Sequence, residues 1–328
     1  MEKGKVVCMM KISRFDRSIR LILSLVGFPL LIVQYLITVY EQKKHKPTGW
    51  HADIGSRKLH VTVTGHGSPT IILEAGMGGC SLDWALVAPA LSTKANVITY
   101  DRAGFGWSSE VLDHPTCSAY VDDLRSLLRT LGAAPPYLLV GHSYGGMIMR
   151  LFASRYPEEV CGLVLVDATH ESRYLPEQTT AGRQKQLFSH RSQYRLGYML
   201  SPLGIPRWLK QHIGSKRLPE EWLAPVRALG YKASAYRAVY AELLSTTESS
   251  LQVAAAEPLK QDLPVIVLSA GKQNEEWQQV QRKLTNLTKR TNQIIVEDSW
   301  HSIHIHRPDA VIHAINRLLD EIDLSSYR

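Results

Sequence analysis

Six residues, Gly141-His142-Ser143-Tyr144-Gly145-Gly146, constrain the fold of this chain more than any other stretch. They follow the apolar run Tyr137-Leu138-Leu139-Val140 and precede a helix-like stretch over 147–156. Strand, then Gly-x-Ser-x-Gly, then helix is the order a nucleophile elbow requires. In such a turn the serine backbone is strained, and a Cβ at Gly141 or Gly145 would collide with the neighbouring strand or helix. The strain holds a hydroxyl above the sheet, close to the positive end of the following helix. The bland alternative is a glycine-rich turn with a solvated serine, and the flanking pattern favours the elbow.

On both sides of this turn the chain alternates strand and helix patterns. Strand-like runs cover 58–63, 70–73, 95–100, 162–166, 264–268 and 293–296, and helix-like spacing covers 81–91, 118–131 and 308–322. Nearly continuous apolar strands between helices predict a mostly parallel sheet covered by helices on both faces, an α/β fold. The rhythm stops over 168–262, which is helical in pattern and broken by Pro176, Pro202, Pro206 and Pro219. We read it as a helical cap inserted after the sixth strand, with 58–167 and 263–328 as the core. The glycine-rich Glu74-Ala75-Gly76-Met77-Gly78-Gly79 lacks the Gly-x-Gly-x-x-Gly spacing and the Lys-Ser/Thr pair of phosphate loops, so no nucleotide is expected there.

Residues 21–40 hold twenty positions without a charge, enough at helical rise for the ~30 Å hydrocarbon core of a bilayer. No Ala-x-Ala-like cleavage site follows, so the expectation is an uncleaved single transmembrane helix after a basic leader (1–20) and before a linker (41–57). Six Lys or Arg precede the segment and three follow, which predicts a cytoplasmic N-terminus and a body on the opposite side. The net charge of +8 is concentrated here: residues 1–46 carry nine basic and three acidic side chains, +6, leaving +2 for the rest. The body is therefore nearly neutral, and no nucleic-acid partner is expected. The four cysteines, Cys8, Cys80, Cys117 and Cys161, have no paired spacing, which argues against a disulfide scaffold and against a metal site.

A serine hydroxyl needs a base, and Trp300-His301-Ser302-Ile303-His304-Ile305-His306-Arg307-Pro308 offers three histidines. No further ligand cluster lies nearby, so a metal reading is disfavoured, and His304 and His306 fit packing or surface roles. Together with Gly141 to Gly146, the stretch Asp101-Arg102-Ala103-Gly104-Phe105-Gly106-Trp107-Ser108 resembles the α/β-hydrolase fold superfamily over roughly 58–322, in particular its small serine hydrolases. The resemblance implies a catalytic histidine seven residues before the proline of the last helix, which selects His301 before Pro308. It also implies backbone oxyanion donors at Met77 and Tyr144, although the usual His-Gly-x-Gly loop here reads Ala75-Gly76-Met77-Gly78. The usual acid position after strand 264–268 reads Gly271-Lys272-Gln273-Asn274. A subset of the superfamily carries its acid one strand earlier, where Asp167 stands. Asp167 is preferred, with Glu275 as the alternative.

The expected activity is hydrolysis of a small-molecule or lipid-like acyl ester without cofactor or metal. An amidase, a perhydrolase or a catalytically silent membrane-anchored binding module are the alternatives on the same framework.

Overall fold

The computed structural model describes residues 10–108 and 111–322. Cys8 and most of the basic leader's first half lie outside the described residues. Eight strands, β1 (Trp50–Asp53), β2 (Lys58–Thr64), β3 (Thr70–Glu74), β4 (Asn96–Tyr100), β5 (Tyr137–His142), β6 (Val160–Val166), β7 (Val265–Ala270) and β8 (Thr291–Val296), form one sheet. Their spatial order is β1-β2-β4-β3-β5-β6-β7-β8. β2 runs antiparallel to β4 and β1 to β2, while β4 through β8 are parallel. The expectation of a mostly parallel sheet holds, with an antiparallel edge.

The pleat sorts the central strands onto two cores. Leu139, Leu163, Leu165, Val265 and Val267 face the helices Cys117–Thr130 and Tyr144–Arg155. Leu138, Val140, Val164, Ile266 and Leu268 face the C-terminal helix Pro308–Glu321 through Val311, Ile315 and Leu318. A strand buried on both sides has no polar face, which is why these runs read as continuous apolar sequence. Every parallel strand points its carboxyl end to the same edge, and β3, β5, β6 and β8 all deliver functional loops there.

Several local expectations are corrected. The linker 41–57 is structured: the helix Phe28–Lys44 enters it, and Trp50–Asp53 pairs with β2 as the edge strand. Only Ala52 of that short strand is buried, so its sequence carries little alternation. The stretch 81–91 is a 3-10 turn, Ser81–Trp84, and a separate helical turn, Ala88–Leu91, parted before Pro89. Within the insertion, the helix Thr246–Ala254 belongs to the core: Ser249 Oγ accepts from the Cys117 amide at 3.0 Å and lies 2.8 Å from the Tyr144 hydroxyl.

The largest correction concerns 21–40. Two helices, Arg14–Val26 and Phe28–Lys44, meet at Gly27 with a 93° bend. Among the described residues no single helix is long and apolar enough to cross a membrane. Gly27 permits the turn by lying against Leu203 of the cap, where a Cβ would approach Leu203 Cδ2 to 2.6 Å. The pair is fastened to the cap through its polar residues. Arg195 donates to Asp16 Oδ1 at 2.7 and 2.9 Å, Gln34 donates to the Tyr231 carbonyl at 3.0 Å, and Arg207 donates to Gln34 at 3.0 Å and Glu41 at 2.7 Å.

The elbow glycines are fixed by close approach. A Cβ on Gly141 would lie 2.7 Å from Gly145 O and from Gly146, and one on Gly145 would lie 2.6 Å from the Ala75 carbonyl. Both clashes are with backbone, which cannot swing aside. Gly145→Ala should therefore destabilise the fold by about 2–3 kcal/mol, as overpacking of a rigid site does. Urea unfolding of the two proteins measures the difference; a change under half a kcal/mol (about the scatter of neutral surface substitutions) would contradict the packing described.

Candidate active site

Ser143 stands between β5 and the helix Tyr144–Arg155 with φ +50° and ψ −118°, a conformation that a side-chain-bearing residue adopts only when held. Three bonds hold it. Its amide donates to the Val166 carbonyl at 3.1 Å, and its carbonyl accepts from the amides of Gly146 at 3.0 Å and Thr169 at 2.9 Å. The hydroxyl then points to His301, whose Nε2 lies 2.9 Å away. On the other side of the ring, Nδ1 is 2.7 Å from Asp167 Oδ2. The carboxylate as acceptor assigns the ring proton to Nδ1, leaving Nε2 to accept from the serine.

Asp167 follows β6 directly, is fully buried, and also has positive φ, +43°. Such a charge needs partners, and the loop after β7 supplies them. The Ala270 amide donates to Oδ1 at 3.0 Å, Trp277 Nε1 to Oδ1 at 2.9 Å, and Gln273 Nε2 to Oδ2 at 3.2 Å. The segment where relatives place their acid thus holds donors to an acid placed one strand earlier. Asn274 caps the helix Glu275–Leu284, accepting from the Trp277 amide at 2.9 Å. Glu275, the alternative acid, is exposed on that helix, with Arg282 drawing it below the usual carboxylate range. It does not reach His301.

The candidate oxyanion loop follows β3. Among the described residues, the amides of Met77 and Tyr144 meet no backbone or side-chain acceptor, so both remain free to donate. The loop leading to Met77 is fixed by Arg102, which donates to the Ala75 carbonyl at 2.8 Å and the Gly76 carbonyl at 2.7 Å. Arg102 is itself held between Glu74 and Glu242, and Glu242 Oε2 accepts from the Gly78 amide at 3.0 Å. This explains the Asp-Arg motif: Arg102 sets the loop, while Asp101 accepts from the Ser81 amide at 2.6 Å, the Trp107 amide at 2.9 Å and His60 Nδ1 at 2.8 Å. Gly106 is required because a Cβ there would fall 2.2 Å from the Asp101 carboxylate.

The remaining histidines stack behind the site. His142 lies 4.8 Å from His301 and 4.2 Å from His304, whose far face meets Trp84 at 4.7 Å. Burial pushes His142 well below its ordinary value and His304 down to about 3, so both are neutral spacers. His142 Nε2 donates to the His301 carbonyl at 3.1 Å, steadying the loop that carries His301. His306 packs on Trp300 at 4.3 Å.

The sequence profile of the α/β-hydrolase fold family matches residues 69–195. Together with the sheet order and the placement of Ser143, Asp167 and His301, that match decides the assignment. The chain belongs to the α/β-hydrolase superfamily. It is similar to the uncharacterized protein YqjL of Bacillus subtilis, 26% identical over 261 residues that cover 76% of this chain and 83% of that protein. An uncharacterized Schizosaccharomyces pombe protein is 32% identical over 226 residues, 66% of this chain and 40% of that longer protein. The enol-lactonase of Burkholderia xenovorans superposes with a TM-score of 0.62 at 20% identity, covering 83% of this chain and all of that one, a likeness of fold.

Sequence reasoning within this α/β-hydrolase missed the residues that serve Asp167, Gln273 and Trp277, and it missed Asp83. Asp83 is buried in the wall of the cavity above Ser143, its Oδ1 lacks a partner, and burial raises its carboxyl to about 7. Asp101 adds to the rise, while the Cys80 amide and Arg102 oppose it. Between the unfolded value near 3.8 and about 7 the native protein holds a proton that the unfolded chain has lost. Stability from this group is therefore present at pH 4 and lost as pH rises through 7. Asp83→Asn should gain on the native protein by up to about 4 kcal/mol between pH 4 and pH 8. Urea melts of both proteins at the two pH values test this, and a pH-independent difference would refute it.

Proposed function

We propose that this α/β-hydrolase is a serine hydrolase cleaving carboxylic esters, with Ser143 as nucleophile, His301 as base and Asp167 as the acid that orients it. The observation that carries this reading is the unbroken series Ser143 Oγ to His301 Nε2, 2.9 Å, and His301 Nδ1 to Asp167, 2.7 Å, beginning at a strained elbow. Ser143 attacks the carbonyl carbon as His301 takes its proton, and the amides of Met77 and Tyr144 receive the oxyanion. His301 returns the proton to the leaving alcohol, and a water then repeats the sequence on the acyl-enzyme. No cofactor is needed. An amidase or perhydrolase would use the same residues. An ester is favoured because its alkoxide leaves with less assistance than an amine, and because the structural relative from Burkholderia xenovorans is named for opening a lactone, a cyclic ester.

The cavity above Ser143, of ≈ 380 Å³, adjoins a second one of ≈ 520 Å³ through shared walls at Met77, Tyr194 and Gly214. Leu200, Ile205, Leu209 and Ile213 line the second cavity and suit an acyl chain or another apolar part of the substrate. A fluorophosphonate probe should label the native protein and not Ser143→Ala; labelling of neither would point to a silent binding module. Asp167→Asn should lower turnover by up to about four orders of magnitude, while Glu275→Gln keeps most of it. The reverse ranking would move the acid to the loop after β7.

The N-terminal pair is proposed to lie on a bilayer. Its pattern is inverted: the buried side chains of its two helices are the polar Asp16 and Gln34, while Phe15, Ile22, Val26, Phe28, Val33 and Leu36 are exposed. Phe188, Trp208 and Leu209 of the cap are exposed as well. Apolar side chains turned away from the protein and flanked by the exposed cations Arg14, Arg17, Lys43, Lys44 and Lys46 suit an anionic lipid surface. In flotation with phosphatidylglycerol-rich vesicles the full chain should rise with the lipid, and Val26→Asp/Phe28→Asp should remain behind. Equal behaviour of the two proteins would overturn the lipid contact. Retention of the native chain through an alkaline carbonate wash would favour a crossing segment, as the uncharged run by itself suggests.

A further inference from the structure

The cavity above Ser143 is lined on one side by cations without matching anions. Arg173 follows Asp167 by six residues, at the end of the 3-10 turn Glu171–Arg173, and Arg183 lies in the first turn of the cap helix Ala181–Leu200. Both line the cavity with His190 and Tyr194, which sit seven and eleven residues after Arg183 and so face the same way on that helix. Arg173 is 9% exposed and Arg183 8%. A guanidinium this deep ordinarily has a carboxylate beside it. Here the acid within ion-pair reach of Arg173 is Glu276, at 3.9 Å and partly open to solvent, with Asp167 attracting it from farther off, and Arg183 reaches the Gln186 amide oxygen at 3.4 Å and the Tyr174 side chain. Nε and Nη1 of Arg173 and Nε of Arg183 are buried without any acceptor.

What the two side chains do have is aromatic support. The Arg173 guanidinium lies 4.5 Å over the Trp277 ring and that of Arg183 lies 5.2 Å over Tyr174. Stacking on the ring faces fixes the planes and leaves Nε and Nη1 of Arg173 and Nε of Arg183 unmet. Trp277 is also the residue whose indole donates to Asp167, so Arg173 is positioned through the same ring that steadies the acid. The two cations also oppose one another: burial and then Arg183 lower Arg173 from its ordinary value, and burial and Arg183 do the same to His190. Asp83 shares the cavity, but its carboxyl, raised to about 7, is no strong counter-charge at or below neutrality. Two stacked guanidiniums with unmet donors, facing one small cavity, form a receptor for a planar or tetrahedral anion.

We propose that the substrate of this site is an ester bearing an anionic group, carboxylate or phosphate, held by Arg173 and Arg183 while the ester carbonyl lies at Ser143. This rests on the serine-hydrolase reading above and narrows it. The anion sits in the ≈ 380 Å³ cavity, and the remainder of the molecule extends into the apolar one. Arg183 comes from the cap and Arg173 from the core, so the anion also draws the two parts together over the ester.

Two substrate pairs test this, one with the charge on the acid and one with it on the alcohol. They are 4-nitrophenyl hydrogen glutarate against 4-nitrophenyl hexanoate, and 3-acetoxybenzoate against phenyl acetate. Each ratio of kcat/KM is corrected for the rates of alkaline hydrolysis. The native protein should favour the anionic member of at least one pair by about tenfold or more, as for a charged hydrogen bond. Arg173→Gln and Arg183→Gln should each bring that ratio towards one, mainly through KM. Arg173→Lys and Arg183→Lys, which keep the charge, should retain part of it and guard against misfolding of the glutamine variants.

Glutarate and phosphate, added singly, should raise the melting temperature of the native protein and not of the glutamine variants; the larger shift tells which anion is preferred. If the native protein takes the fluorophosphonate label but shows ratios at or below one and no shift with either anion, the anionic substrate is wrong and the serine-hydrolase reading stands. If it neither labels nor cleaves any of the four esters, the hydrolase reading falls; a shift with neither anion then removes the anion site as well, and an arginine-dependent shift retains it as a binding site.

Discussion

A single buried guanidinium organises the sheet edge that carries the candidate site. Arg102 is 3% exposed and lies between Glu74, the last residue of β3, and Glu242 of the cap helix Ala233–Leu244. Burial alone would lower its value, and the two carboxylates hold it well above the ordinary one. The pair of acids satisfies the charge, and the remaining N–H groups reach the carbonyls of Ala75 and Gly76. Breaking one arm would leave a buried charge without its partner, which costs about 3–5 kcal/mol. One side chain therefore ties strand edge, the loop 75–78 and the cap into a single unit. The loop can keep the free amide of Met77 at its tip because its carbonyls, and the amide of Gly78, are already spent on Arg102 and Glu242.

The same economy of partners runs through the rest of the site. Asp167 is buried with four donors around its two oxygens: a backbone amide, an indole, a side-chain amide and the histidine. Each fixes the carboxylate in one plane, and that plane sets the imidazole. Behind His301, the neutral rings of His142 and His304 fill space that a charged group could not occupy. Against this background, the cations in the cavity above Ser143 stand out. Most buried charge in the described core is met by opposite charge or by backbone, whereas Arg173 and Arg183 rest chiefly on aromatic faces, with Glu276 at 3.9 Å and Gln186 at 3.4 Å as their further partners.

The N-terminal pair shows how composition and geometry can point in different directions. An uncharged twenty-residue run suits a bilayer span, but Gly27 sits in its interior, followed by Pro29 in the first turn of the second helix. A glycine lacking Cβ can bring the chain against Leu203, and a proline withholds an amide that would continue the first helix. The bend then turns Gln34 inward to Tyr231 and Arg207, which no hydropathy sum registers. Removal of 1–46 would strip Arg207 and Arg195 of their acidic partners, so this segment is part of the cap's surface as well as the proposed lipid-facing element.

Local rules were enough for whatever depended on residues close in sequence. The alternation of apolar runs and helical spacing marked the parallel sheet. Glycines flanking Ser143 marked the strained turn, since their need is a clash within a few residues of backbone, and the order of the strands put Asp167 at the end of one of them. The distance of His301 from Pro308 was legible only through family resemblance. What the chain could not display is which distant groups meet. Gln273 and Trp277 are ordinary residues until β6 and β7 lie side by side and aim them at Asp167. Glu242 and Arg102 are 140 residues apart and acquire a joint role only when the cap folds over β3. Arg173 and Arg183 belong to no motif in the sequence, and burial with few partners, a property of the packed molecule alone, turned them into the most informative pair in the cavity.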